Sequence, residues 1–195
     1  MPTAPAARKD SLRQQALQRR RALDSKVRES FSARLAEEGL AIARRIGARA
    51  VSAFFPIRGE PDTLPLLAAL AAHGFCTGLP TTVSRAAPLV FRQWRPGDLT
   101  IPGAMKVPEP LASAKALDPD LLFVPLACFD RRGHRIGYGA GHYDRTLAAL
   151  RAAGPVTAVG VAYDAAQAPA IPDEPHDQRL DFILTERELI DCRDG

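Results

Sequence analysis

Leu121-Leu-Phe-Val-Pro-Leu-Ala-Cys-Phe129 runs into Asp130-Arg-Arg-Gly-His-Arg-Ile-Gly-Tyr-Gly-Ala-Gly-His-Tyr-Asp-Arg145 and then into Thr146-Leu-Ala-Ala-Leu-Arg-Ala-Ala153. This order decides the fold class. Leu121 to Leu126 is a short, almost continuous apolar run of the kind that fills a central strand buried on both faces. A helix-forming stretch follows over 142–153, and a glycine segment joins the two. Its glycines fall at alternate positions, Gly137, Gly139 and Gly141. Alternate glycines let a backbone come close to a ligand and turn its N–H groups inward. A helix starting just beyond adds a positive dipole end, which suits phosphate, and Asp144 offers a carboxylate for a metal ion beside it. An isolated GxGxG is also consistent with a flexible turn. Its place at a strand's carboxyl end favours a ligand, because ligands of open α/β sheets gather there. It is neither a Rossmann GxGxxG nor a P-loop, since no Gly-Lys-Ser/Thr follows.

Working outward, residues 9–23 carry Leu12, Ala16 and Leu23 at a loose helical period without Gly or Pro. Asp24-Ser25 predicts a break and cap, residues 26–47 a second helix, and Gly47 its end. Ala50-Val-Ser-Ala-Phe-Phe55 reads as a buried strand stopped by Pro56. Thr63 to His73 reads as an apolar helix ended by Gly74. Phe75–Leu79, Leu89–Trp94, Val156–Ala162 and Asp181–Thr185 read as further strands, with a long connection over 95–119 and a proline-marked loop at Pro169, Pro172 and Pro175. Strands alternating with helices imply an α/β fold with a largely parallel sheet. No internal repeat or linker divides the chain, so residues 1–195 are expected to form a single domain with a basic helical N-terminal segment over about 8–47.

Bulk properties narrow the function classes. The 195 residues are 46% hydrophobic, enough for a full core. Cys76, Cys128 and Cys192 are scattered, without CxxC spacing, and read as reduced thiols of a cytoplasmic protein. No run is long enough for a membrane span, and Met1–Arg8 lacks a signal-peptide h-region. The first 50 residues hold 12 Lys/Arg against 5 Asp/Glu, while the whole chain is only +4, so the remainder is net negative. This asymmetry suits either an anionic partner or a solvated arginine-rich face. Nucleic acid is disfavoured because no aromatics interleave with the basic run.

Individual residues add candidates. Lys9 and Arg13 stand four apart on one helix face, where two cations fit an anion between them or are ordinary solvated charge. Glu60 follows a strand end, where a carboxylate can orient an N–H-rich ligand or simply face solvent. His176-Asp177 precedes the last strand. No nucleophile motif accompanies it, so a hydrolytic triad has little support. Asp177 as a second carboxylate near a metal is the sharper reading, and it requires the loop to fold back toward Asp144.

Taken in order, these residues resemble the 5-formyltetrahydrofolate cyclo-ligase, or methenyltetrahydrofolate synthetase, family. The parts are Lys9-x-x-x-Arg13; Glu60 between a strand and an apolar helix; Lys106-Val-Pro-Glu-Pro110; Pro125-x-x-x-Phe-Asp-x-x-Gly133; Arg135-Ile-Gly-Tyr-Gly-Ala-Gly-His-Tyr-Asp-Arg145; and His176-Asp-x-x-Leu-Asp181. The resemblance implies a three-layer α/β/α sandwich similar to the ribose-5-phosphate isomerase and CoA-transferase group. It implies ATP- and Mg²⁺-dependent cyclisation of 5-formyltetrahydrofolate to 5,10-methenyltetrahydrofolate through a phosphorylated formyl group. Carried over by position, Arg135 and Tyr143 are catalytic. Lys9, Arg13, Arg135, Gly137, Tyr138, Gly139, Ala140, Gly141, His142, Tyr143 and Arg145 bind ATP. Phe55, Glu60, Tyr138, Gly139, Ala140, Gly141 and His142 bind the folate, and Asp144 and Asp177 bind Mg²⁺. The implied partners are folate and ATP, with no membrane, and the chain is expected as a monomer or weak dimer.

Two positions depart from the family's usual Gly-x-Gly-Gly-Gly-Tyr-Tyr-Asp. Ala140 replaces a glycine, which is tolerable only if that residue avoids positive φ. His142 replaces an aromatic and puts an imidazole beside the phosphate cradle. They keep open a related ATP-dependent enzyme acting on another formyl or amide substrate. A third reading is an RNA-associated binding protein that uses the basic helices.

Overall fold

The fold is organised around a strand pair from which the chain winds outward in two directions. The computed structural model describes residues 4–103 and 106–193, residues 4 and 5 by backbone alone. Met1–Thr3, on which the leader reading partly rests, and positions 104–105 of the long connection lie outside the described residues. In chain order the elements are α1 (Ala4–Arg21), α2 (Ser25–Arg45), β1 (Ala50–Ser52), α3 (Leu64–Ala72), β2 (Cys76–Thr81), β3 (Val90–Gln93), β4 (Thr100–Pro102), β5 (Pro108–Pro110), β6 (Ala116–Leu117), β7 (Leu121–Pro125), β8 (Cys128–Phe129), β9 (Arg135–Ile136), α4 (His142–Ala153), β10 (Thr157–Val161), β11 (Phe182–Leu184) and β12 (Leu189–Asp191). The main sheet runs β12-β11-β10-β7-β1-β2-β3-β6. Its five central strands, β11 to β2, are parallel, and the edges are antiparallel.

Alternation along the central strands divides the core into two layers. Leu121 and Phe123 of β7, with Val159 and Val161 of β10, face α2 and α3 and meet Phe31, Leu35, Ile42, Leu66 and Leu70. Leu122, Val124 and Ala158 face the opposite side, where Ala16 of α1 and Leu147 of α4 cover them. This is the expected α/β/α arrangement. The layers approach closely at Gly39 of α2, where an added Cβ would stand 2.5 Å from Leu66 Cδ1 and 3.1 Å from Phe123 Cζ.

Local signals explain the helix ends. Asp24 caps α2, its side chain accepting from Lys26 N. Gly47, at φ 67°, ends the same helix, with Gly47 N donating to Arg44 O and Ala48 N to Ala43 O. The same pattern recurs at Gly74 after α3. Three expectations need correction. The 95–119 connection contains the β4–β5 hairpin and edge strand β6, and the chain adds β12 after the expected last strand. Pro102, Pro108 and Pro110 hide the hairpin from a strand pattern, because proline fits only a sheet edge. β1 is also shorter than expected, ending at Ser52, after which Phe54 and Phe55 turn into a cavity wall.

From β1 the chain proceeds through α3 to β2 and moves toward one sheet edge. From β7 it proceeds through α4 to β10 and moves toward the other. The β1–β7 boundary is therefore a topological switch point, where the loops leaving the two carboxyl ends diverge and open a crevice.

Candidate active site

A cavity of about 380 Å³ lies at that crevice, a size suited to a small-molecule site. Lys9, Arg13, Phe55, Glu60, Arg135, every residue from Gly137 to Asp144, and Asp177 line it. Of the predicted site residues, Arg145 stands outside the lining.

The glycine segment forms one wall. It leaves β9, which pairs with β8 to project the chain from the end of β7. Gly139 and Gly141 take φ of 92° and 66°, and Gly141 occupies the N-cap position of α4. Glycine has no side chain to cap the helix, so the first-turn N–H groups of α4 carry no side-chain cap and can face an anion. Ala140 does not have positive φ, so its Cβ is accommodated and that departure is harmless to the backbone. His142 Nδ1 lies 3.3 Å from Ala87 O, in the loop between β2 and β3.

Cations converge on this wall. Arg13 Nε donates to Gly137 O at 2.8 Å. Arg135 is nearly buried, its side chain 5% exposed, and its Nη2 contacts Asp144 Oδ1 at 2.7 Å. Its Nη1 donates to Gln178 O, while Gln178 N donates to the same Asp144 oxygen at 3.1 Å. Burial pushes the Arg135 guanidinium below its ordinary pKa, against the pull of Asp144 and Asp177. Lys9 Nζ bridges Asp177 Oδ2 at 2.7 Å and Glu174 Oε2 at 2.8 Å. Burial works to lower the Lys9 pKa, but the bonds to Asp177 and Glu174 outweigh it and the value is raised. Asp177 is the mirror case. Burial works upward, while Lys9 and the Glu174 N–H hold the carboxyl below its usual value.

The opposite wall comes from the loop after β1. Glu60 is buried, with Oε1 accepting from Tyr138 Oη at 2.6 Å and Oε2 accepting from Ile57 N at 3.0 Å. Burial raises its pKa, and the Tyr138 bond, the Ile57 N–H and the charges of Arg20 and Arg58 pull it partly back. Phe55 lines this end and packs edge-on to Trp94, ring centroids 6.5 Å apart. Tyr143 lies between the two ends, half-buried, and burial raises its phenol pKa.

The structure thus gathers Lys9, Arg13, Arg135, Asp144 and Asp177 at one end of the cavity and Glu60, Phe55 and Tyr138 at the other. Arg145 is bonded behind the glycine wall. Its Nη2 donates to Ala140 O and to Arg85 O, each at 2.7 Å, tying the glycine segment to the β2–β3 loop. The sequence reading missed Arg20, Glu174 and the cavity-lining Glu109, which is buried and accepts from Thr82 N at 3.2 Å. Arg20 had a signal. Positions 9, 13, 16 and 20 fall on one helical stripe, and Ala16 and Arg20 are both buried.

The 5-formyltetrahydrofolate cyclo-ligase family model matches residues 5–186, which include every residue of this cavity. The chain belongs to that family. It is 35% identical over 189 residues to 5-formyltetrahydrofolate cyclo-ligase of Mycolicibacterium smegmatis, covering 93% of this chain and 95% of that protein. It is 31% identical over 173 residues to the enzyme of the same name from Escherichia coli K12, covering 86% and 94%. Among solved structures, 5,10-methenyltetrahydrofolate synthetase of Aquifex aeolicus superposes with a TM-score of 0.79 at 27% identity, covering 96% of this chain and 94% of that one. The synthetase of Mycoplasma pneumoniae shares the fold, at a TM-score of 0.71 and 21% identity. The two-ended cavity is therefore the candidate active site of a cyclo-ligase family enzyme.

Proposed function

We propose that this cyclo-ligase family enzyme converts 5-formyltetrahydrofolate and ATP to 5,10-methenyltetrahydrofolate, ADP and phosphate. The observation that carries the reading is the sharing of one cavity by an anion-binding end and a hydrogen-bonding, aromatic end, with the glycine segment running between them. The chemistry requires both. An amide-type formyl oxygen is a poor leaving group. Attack by that oxygen on the γ-phosphorus breaks the bond to ADP and gives an iminophosphate. N10 of the folate then attacks the formyl carbon and gives up its proton, and phosphate leaves with the former formyl oxygen. The protein's task is to hold two ligands in line and to screen phosphate charge.

Lys9, Arg13, Arg135 and the uncapped start of α4 supply positive charge and N–H donors for the phosphates. Glu60 accepts N–H donors of the pterin, and Phe55 packs beside it. Tyr138, Gly139, Ala140, Gly141 and His142 contact both ligands, Gly137 and Tyr143 contact ATP, and Arg135 and Tyr143 stand beside the reacting groups. Arg145 contributes by holding Ala140.

Magnesium fits the donor set. Glu174, His176 and Asp177 present ligand atoms within 4.8 Å of one another, and the carboxylates are hard oxygen donors. The Lys9 ammonium already bridges two of them, so this cluster is one that a cation neutralises. Asp177, with Glu174 beside it, would hold the ion, with Asp144, which stands outside this three-residue cluster and is bonded to Arg135 and Gln178 N, as the second proposed carboxylate; the ion would supply charge neutralisation on the phosphates. We further propose that the chain acts as one catalytic domain, monomeric or weakly dimeric, in the cytoplasm.

The test is formation of the methenyl chromophore from 5-formyltetrahydrofolate by the purified protein with ATP and Mg²⁺. Chromophore formation that requires both is expected. Folded protein that releases ADP only with other formyl or amide compounds would move the reading to the related-enzyme alternative.

A further inference from the structure

Arg20 is 4% exposed, and the reaction as derived makes no use of it. It lies on the same α1 stripe as Lys9 and Arg13, but about 10 Å beyond Arg13 along the helix axis. Its guanidinium divides between two partners. Nη1 donates to Tyr138 Oη at 3.0 Å, and Nη2 donates to Arg58 O at 3.0 Å. Tyr138 passes the first bond on to Glu60 Oε1 at 2.6 Å.

The second bond holds the turn that carries Glu60. Arg58 and Gly59 have φ of 52° and 74°, and Glu60 N donates to Ile57 O at 3.0 Å to close the turn. A non-glycine residue at positive φ is uncommon and persists only where surrounding contacts hold it. Arg28 of α2 completes the bracket, with Nη1 donating to Gly59 O at 3.0 Å and Nη2 to Arg20 O at 2.6 Å.

We propose that Arg20 is a positioning residue for folate recognition, fixing both the direction and the negative charge of the Glu60 carboxylate through Tyr138 and the Arg58 carbonyl. This rests on the reading of Glu60 as the acceptor of the pterin N–H donors. A carboxyl group this buried favours its proton, whereas only the ionised form offers both oxygens as acceptors. Among the described residues, four charged or titratable groups act on Glu60: Arg20 from α1, Arg58 from the turn, Tyr138 from the glycine segment and Tyr143 from α4. Burial raises both tyrosines, so they stay neutral. Arg58 is exposed and screened by water. Among the described residues, Arg20 is therefore the one buried positive charge acting on Glu60, and the hydroxyl of Tyr138 carries its hydrogen bonding to the carboxylate.

The experiment measures initial rates across the acidic and neutral range for Arg20→Met, Arg20→Lys, Tyr138→Phe and Glu60→Gln, with folate and ATP varied separately. Arg20→Met is expected to raise the folate KM about tenfold at neutral pH, while the ATP KM stays within about twofold. The acidic limb of kcat/KM for folate should move upward by about one pH unit, because losing a nearby positive charge lets Glu60 hold its proton to higher pH. Arg20→Lys should keep the limb near its original place and raise the folate KM by a smaller factor, since an ammonium cannot fork between two acceptors. Tyr138→Phe should shift the limb in the same direction as Arg20→Met. If Arg20→Met does not fold, Arg20→Lys and Tyr138→Phe carry the test.

A limb unmoved in Arg20→Met and Tyr138→Phe, or losses shared equally by ATP and folate, would overturn the proposal. Glu60→Gln separates the two readings. An unchanged folate KM in that variant removes Glu60 from recognition. A raised KM with no response from the Arg20 variants keeps Glu60 and removes Arg20.

Discussion

The two ends of the cavity hold their charges in different ways. At the end proposed for phosphate, Lys9 meets Asp177 and Glu174, and Arg135 meets Asp144, so cations from α1 and β9 are paired with carboxylates from a loop and a helix start. Glu174 and Asp144 remain partly open to water, with side chains 47% and 26% exposed. At the end proposed for folate, Glu60 and Arg20 are buried, linked through Tyr138, and fixed to a strained turn. The first arrangement can exchange one ionic partner for another, as an incoming anion with its metal requires. The second is preorganised, with its carboxylate direction set before the ligand arrives.

This contrast can be broken or sharpened experimentally. The largest effect is expected at Asp144, which ties Arg135 and the Gln178 backbone to the start of α4. Asp144→Asn should lower kcat for methenyl formation by about 10²–10³-fold, the scale of losing one charge-stabilising group in an active site. Next is Glu60→Gln, which should raise the folate KM by about 10–100-fold with little change in the ATP KM, as expected for hydrogen bonds to a charged acceptor. Lys9→Met should show the reverse selectivity, an ATP KM raised by about tenfold with the folate KM nearly unchanged. If both variants raised both constants equally, the division of the cavity into two ends would be wrong.

The smallest effect concerns stability. Asp177 has its folded pKa held below the ordinary 3.8, so its contribution is present above that value and is lost as pH falls through the folded pKa. Lys9 is raised above 10.5, so its contribution is present below that value and is lost as pH rises through the folded pKa. Asp177→Asn should therefore lower unfolding free energy at neutral pH by at most about 1 kcal/mol, and the difference should vanish in acid. Glu60 behaves oppositely. Its raised folded pKa gives stability at low pH that fades as pH rises through that value. Denaturant titrations of wild type and Asp177→Asn over pH would read the sign directly.

The comparison also explains what the sequence made legible. The β7–glycine–α4 unit was readable because its three parts carry different signals: an apolar run, alternate glycines and a helical stretch. Lys9 and Arg13 were readable from their spacing. Arg20 was hidden within Arg19-Arg20-Arg21, where three like residues give no clue which one points inward until the stripe through Ala16 is followed. Arg145 follows Asp144 in sequence, and nothing in that order shows that its side chain folds back to donate to Ala140 O. The Lys9–Asp177 pair joins residues 168 positions apart, and only the sheet's winding brings them together. Glu109 was obscured by the prolines around it, although its carboxylate reaches a cavity wall.

The central claim is that two differently built ends of one cavity serve a single coupled reaction. The most direct measurement is the ratio of methenyl product formed to ADP released by wild-type protein supplied with 5-formyltetrahydrofolate, ATP and Mg²⁺. Equal amounts of the two products, with neither formed when one substrate is withheld, is the predicted result. ADP release that proceeds without folate, or folate turnover that proceeds without ATP, would contradict it.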